Sequence, residues 1–195
     1  MFIYSGIYSG GDTGVALNKI AYSTDGINWN LSNKGLSTRQ WFYNCYGNGK
    51  FIVNPSYIGG TDTFAYSTDG INWTETSNGL SNRKWYSICY GNGKYVVVSS
   101  ASTFAYSTDG INWTETTNGL TGNKFYKNIC YGNGKYVVVA YGSNTFAYST
   151  DGINWTETSN GLGSRYWDSI CYGNGKYVAI ADISNIFAWS NIEYI

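Results

Sequence analysis

Histidine is absent from the 195-residue sequence. Without imidazole there is no Ser-His-Asp or Cys-His nucleophile, no HExxH zinc site and no His-held haem. No apolar run reaches the ~20 residues a membrane-crossing helix needs. The opening MFIYSGIYSGG lacks the basic start and apolar middle of a secretory signal. Neither sign of charge dominates: twelve basic and twelve acidic residues cancel, leaving no electrostatic footprint for nucleic acid or an anionic membrane. Proline occurs once, at Pro55, against 25 glycines and 20 tyrosines. That mixture suits strands joined by tight turns and argues against both disorder and a helical bundle. A chain of this length can bury a sizeable core as one domain, residues 1–195.

What is present is a repeat. YSTDGINWTE stands at 66–75, 106–115 and 148–157, and YSTDGINWN at 22–30, so Asp-Gly pairs recur every 40 to 44 residues. Repeats of about that length with several strands each mark propeller blades. One unit parses into four strands. WYSICY ends at the Asn92-Gly93 hairpin signal, KYVVV follows, then a variable loop, TFAYS, the TDG turn and INWTET. We label these strands A to D; a loop containing NGL returns to the next A. No segment carries helical spacing over three turns. The sequence therefore predicts an all-β, five-bladed β-propeller of four-stranded antiparallel blades, with units near 1–36, 37–80, 81–120, 121–162 and 163–195. In this alignment FIYSGIYSGG is a trimmed A-B hairpin turning at Ser5-Gly6, and 187–195 supply strand C and a stub of D. A rival alignment matches MFIYSGIYSGG to KFIVNPSYIGG, making residue 1 the start of a B strand. It leaves four and a half units, closed by strand sharing or oligomerisation.

Each complete unit contributes one cysteine at the same place: Cys45, Cys89, Cys130 and Cys171. Equivalent positions lie a whole repeat apart, which makes mutual disulfides awkward. Small buried hydrophobes are expected.

S-T-D-G-I-N-W resembles the Asp-box of sialidase-type BNR propellers, S-x-D-x-G-x-x-W, with the glycine one residue early. The resemblance implies a structural turn between strands C and D. Asp25, Asp69, Asp109 and Asp151 would secure the turns, and Trp29, Trp73, Trp113 and Trp155 would pack inward. Elementary chemistry agrees: Asp accepts from nearby backbone N–H groups, Gly takes positive φ and a buried indole contributes large apolar area. A calcium site commonly wants six to eight oxygens, and each box offers one carboxylate, so no metal or other cofactor is expected. STDGINWT and YGNGKYVVV also resemble repeat arrays of bacterial surface and phage tail proteins, which suggests an extracellular or virion-associated setting.

Up-and-down strand order puts the A-B and C-D turns on one side and the longer B-C and D-A loops on the other, where binding usually resides. Before each strand A a cation, one residue and an aromatic recur: Arg39 and Trp41, Arg83 and Trp85, Lys124 and Tyr126, Arg165 and Trp167. An aromatic platform beside a cation suits a sugar or another polar ligand. Tachylectin-type lectins offer an architectural analogy. The expected function is a lectin-like module that binds a carbohydrate or cell-surface receptor. A structural or protein-interaction propeller of a bacterial or phage assembly is the alternative. Sialidases draw their arginines and carboxylates from non-equivalent positions, whereas here the arginines are repeat-equivalent. Asp12, Asp62, Asp168, Asp182 and Glu193 show no acid-base spacing, and no enzyme is expected.

Overall fold

The computed structural model describes residues 1–5, 19–55, 62–100, 102–116, 118–182 and 187–189. Among these there are strands and turns and no helix. In chain order the strands are β1 (Phe2–Tyr4), β2 (Ile20–Ser23), β3 (Asn30–Ser32), β4 (Trp41–Gly47), β5 (Lys50–Pro55), β6 (Thr63–Ser67), β7 (Thr74–Ser77), β8 (Trp85–Gly91) and β9 (Lys94–Ser99). They continue as β10 (Phe104–Ser107), β11 (Thr114–Thr116), β12 (Phe125–Gly132), β13 (Lys135–Ser143), β14 (Thr145–Ser149), β15 (Thr156–Ser159), β16 (Arg165–Gly173), β17 (Lys176–Asp182) and β18 (Phe187–Trp189).

β1-β2-β3 form one antiparallel sheet, β4 to β7 a second and β8 to β11 a third. β12 to β15 run in the same A-B-C-D order, and β16-β17-β18 join them where Tyr141 pairs with Tyr166 and Ser143 with Arg165. The Asn-Gly hairpins explain why each A strand turns straight into a B strand. Asn48, Asn92, Asn133 and Asn174 and the glycines that follow them all have positive φ, the backbone of the two-residue turn whose twist matches antiparallel strands.

The first sheet departs from the favoured alignment. Phe2, Ile3 and Tyr4 face Ser23, Tyr22 and Ala21, as Phe51, Ile52 and Val53 face Ser67, Tyr66 and Ala65. β1 thus has the register of a B strand, as in the rival alignment. The expected turn at Ser5-Gly6 lies partly outside the described residues, as do most of the B-C loop residues at 56–61 and 183–186, and the stub of strand D at 190–195. β18 pairs on β17 in the register of a C strand.

The chain forms two compact units, residues 1–85 with 109–113, and residues 86–108 with 114–195. In the first, Ile20, Leu36, Trp41, Phe51, Val53, Ala65 and Trp73 build a core. In the second, Cys130, Val139, Trp167, Ile170, Ala179 and Ala181 do so. Three A strands, β4, β12 and β16, are bulged: register shifts between Trp41 and Tyr43, between Tyr126 and Asn128, and between Trp167 and Ser169. Each bulge breaks the simple two-residue alternation and turns one residue sideways. Two of these residues, Lys127 and Asp168, form an ion pair at 3.1 Å.

Candidate functional site

The four TDG turns share one hydrogen-bond scheme. Asp69 Oδ1 accepts from the backbone N–H of Ile71 at 2.9 Å and of Asn72 at 2.8 Å, while Oδ2 accepts from Asn72 Nδ2 at 2.7 Å. Asp25, Asp109 and Asp151 do the same with their own Ile and Asn. Gly70 has φ +71°, and Gly26, Gly110 and Gly152 match it, so the early glycine is the left-handed residue of the turn. Both carboxylate oxygens are occupied by N–H donors, which makes these aspartates structural.

The same bonds favour the charged carboxylate. Those from Asn28 and from Asn72 hold Asp25 and Asp69 well below the usual carboxylate range. At Asp151 burial opposes this, and the bonds from Asn154 and Ile153 outweigh it. Lowered folded-state pKa values mean that the unfolded chain binds more protons in acid. This stabilisation is whole above the unfolded carboxylate value of about 3.9 and is lost as pH falls through the folded values. Urea midpoints should therefore fall steadily below about pH 4, and less so in an Asp69→Asn variant.

Three indoles of these motifs are buried as expected: Trp73, Trp113 and Trp155. Trp73 joins the core around Ile20 and donates its backbone N–H to Lys34 O at 2.9 Å. Trp113 meets Phe64 edge-on at 5.1 Å, and Trp155 meets Phe104 edge-on at 4.7 Å. Trp29 is the exception. It is 46% exposed, because it belongs to the first sheet's outer face and has no such partner sheet among the described residues. Leu31, opposite Ala21, is 56% exposed, and Phe2, opposite Ser23, is 55% exposed. On the second sheet the matching positions are Trp73, Phe51 and Glu75: two buried aromatics and a charge. Sequence reasoning passes over Leu31, although it is the one apolar residue in a column otherwise occupied by Glu75, Glu115 and Glu157.

The cation-aromatic pairs are placed differently from the expectation. Trp41, Trp85, Tyr126 and Trp167 are at most 1% exposed, so no face of these rings is open to a sugar. Trp85 packs edge-on to Phe64, Tyr126 to Phe104 and Trp167 to Phe146. Three of their cations, Arg39, Lys124 and Arg165, bond within the scaffold. Arg39 lies 3.7 Å from Glu75, whose carboxylate also takes the N–H and hydroxyl of Ser37. Lys124 is bound to both oxygens of Glu157 at 2.9 and 3.0 Å, and Tyr126 donates its hydroxyl to the same carboxylate at 3.2 Å. At Glu157 burial opposes ionisation, and the bonds from Lys124 and Thr121 outweigh it, holding the carboxyl below its ordinary value. Arg165 Nε donates to Leu162 O, and Arg83 is half-buried. The aromatics that do reach solvent stand one step away. Tyr166, between Arg165 and Trp167, is exposed and stacks on Tyr141 with centroids 4.7 Å apart.

The cysteines are free. Cys130 is buried, Cys45 and Cys89 half-buried, and Cys171 exposed, so the expectation of buried thiols fails at the last position. Burial, with the nearby Cys171 sulfur adding to it, pushes the Cys130 thiol up to about 12. Thiolate is the reactive form. Burial raises the Cys45 thiol as well, so alkylation at pH 8 followed by mass spectrometry should label Cys171 first and Cys45 and Cys130 slowest in the folded protein.

No protein-family model and no curated protein matches the chain. Solved structures do. Virginiamycin B lyase from Staphylococcus aureus matches with a TM-score of 0.71 and 16% identity over 84% of this chain and 56% of its own. YCF48 bound to D1 peptide gives 0.65 and 15% over 91% of this chain and 58% of that one. The nidogen/laminin complex gives 0.65 and 12% over 89% and 67%. The chain therefore spans little more than half the length of the lyase it resembles. These neighbours are β-propeller proteins, and at such identities the likeness concerns the fold alone. Together with the four-stranded antiparallel sheets it places the chain in the propeller class. The expectation that the chain is not an enzyme is corrected here, because the fold is shared with a lyase. That indication is weak at 12% to 16% identity, but the architecture no longer argues against catalysis.

Proposed function

We propose that the protein is an interaction module that binds a protein or peptide partner through the outer face of its first sheet. The observation that carries this reading is the group formed by Phe2, Trp29 and Leu31 on that face, with Ile27 exposed at its turn. Contiguous exposed apolar side chains, an indole among them, are the usual composition of a contact patch. The Asp25 turn already fixes the backbone beneath them, which lowers the ordering cost of association. Support also comes from the neighbours, since YCF48 is bound to a peptide and nidogen to laminin. The lectin-like reading lacks a comparable surface, because its expected rings are in the core.

The test is selection of peptides from a random library on the immobilised protein, followed by titration against Leu31→Glu. That change places in the first sheet the residue type its column carries elsewhere. Affinity should fall about tenfold or more. Equal affinity for both proteins, or a strong glycan-array signal with no peptide selected, would overturn the reading.

A further inference from the structure

Across β12, β13, β16 and β17 the residues Phe125, Tyr141, Tyr166 and Asp182 stand directly opposite one another in turn. Directly paired residues of antiparallel strands share a face of the sheet, so three rings and a carboxylate form one row. The ring centroids are 5.6 Å apart from Phe125 to Tyr141 and 4.7 Å from Tyr141 to Tyr166, and Tyr86 extends the row beyond Phe125 at 4.7 Å. Lys127 lies over its middle. The ammonium is 5.7 Å from the Phe125 centroid and 5.5 Å from that of Tyr141, and Asp168 fixes it at 3.1 Å.

This row does not repeat. Counted from Trp41, Trp85, Tyr126 and Trp167, the position before holds Gln40 and Lys84 in the earlier units and Phe125 and Tyr166 in the later ones; the position after holds Phe42 and Tyr86, then Lys127 and Asp168. The structural turns recur in every unit, whereas the row is assembled once, at the loop ends of the A strands, where specific contacts usually reside. It also contains an example of what it attracts. At the step from Phe125 to Tyr141 a cation rests near two rings and is held by a carboxylate. At the step from Tyr166 to Asp182 the ring and the carboxylate recur without a cation: Asp182 is exposed and has no ion pair among the described residues. Tyr141 covers one face of Tyr166, and the other turns toward β17 and is open, the residue being 46% exposed. Arg165 alternates to the opposite face of β16 and donates to Leu162 O.

We propose that the open face of Tyr166, with Asp182 and the half-exposed Asp168 beside it, binds the guanidinium of an arginine carried on a partner's peptide chain. The two carboxylates outnumber the one ammonium of Lys127, so the place favours a cation. A guanidinium is planar and stacks on a ring while its edge keeps five N–H donors for carboxylates; a compact ammonium offers the ring no flat face. A free amino acid calls for an enclosing pocket. An exposed ring on a sheet offers a face, which suits a side chain delivered by a larger partner. The inference goes beyond the reading above and concerns a surface of the second unit, so either can fail alone.

The probe is N-acetyl-L-arginine amide, titrated into the full chain and followed by saturation-transfer NMR, with the lysine and citrulline analogues and free L-arginine as comparators. A saturable response is expected for the arginine probe. Citrulline, whose head has the same shape without the charge, should bind at least about tenfold more weakly, and lysine should fall between the two. Asp182→Asn, isosteric and exposed, should weaken the arginine probe about threefold to fivefold with circular dichroism unchanged. Tyr166→Leu, which keeps an apolar contact with Tyr141, should weaken it by about as much. Leu31→Glu should have no effect. Overturning results are an absence of binding, equal binding of arginine and citrulline or of arginine and lysine, or indifference to both Asp182→Asn and Tyr166→Leu. Tighter binding of free L-arginine than of the capped probe would overturn the assignment to a peptide-borne side chain.

Discussion

Replacing Trp155 with alanine will lower the free energy of unfolding by about 3–5 kcal/mol, the range for deleting a large buried aromatic. The indole is 6% exposed. It sits edge-on to Phe104 at 4.7 Å and near Tyr136 at 6.3 Å. Phe104 is gripped on another side by Tyr126 at 5.1 Å, so one phenylalanine is held by two rings from the next sheet. Removing one of them opens a cavity that the rigid strands cannot close and forfeits the edge-to-face contacts. Trp29→Ala is the control. The same residue in the same turn, but exposed and with its Nε1 donating to Gly26 O at 3.2 Å, should cost less than about 1 kcal/mol. Urea unfolding of both variants measures the difference; similar losses would contradict the packing described.

The second large effect is expected at a glycine whose φ is ordinary. A Cβ on Gly132 would overlap the ring of Tyr172, and one on Gly91 would overlap Tyr131. These glycines end the A strands so that the tyrosine of the following sheet can lie directly on the backbone. Tyr177 reinforces the same junction, donating its hydroxyl to Gly132 O. Gly132→Ala should therefore cost about 1–3 kcal/mol, as overpacking does when neither partner can withdraw. At Gly173, the same place in the last sheet, an added Cβ would meet nothing within 4 Å among the described residues. Gly173→Ala should be close to neutral. Equal penalties at both glycines would show that the backbone, and not the tyrosine, sets the requirement.

Much of the fold is legible in the sequence because it is encoded by local turn chemistry. The Asn-Gly pairs require positive φ at two residues, and Ser, Asp, Gly and Asn within six residues complete the C-D turn unaided. Both motifs say where strands start and stop. What lies between sheets is not local. Trp41, Trp85, Tyr126 and Trp167 read as a platform because they sit beside cations at the mouths of loops. Their burial depends on Ile20, Phe64, Phe104 and Phe146, which open the C strands one repeat earlier, and strand periodicity carries no information about that partner. The bulges that follow Trp41, Tyr126 and Trp167 are likewise set by pairing with strand B. The open face of the first sheet is in principle readable, since Leu31 breaks a column of glutamates, but a search for what repeats passes over what fails to.

That face carries the functional claim, and hydrogen exchange tests it most directly. Exchange should be measured on the free protein and on its complex with a library-selected peptide. Slowed exchange over residues 26–32 is the predicted result. Slowing at 39–42, 83–86, 124–127 and 165–168, with 26–32 unchanged, would contradict the account and return the binding site to the cation-aromatic loops.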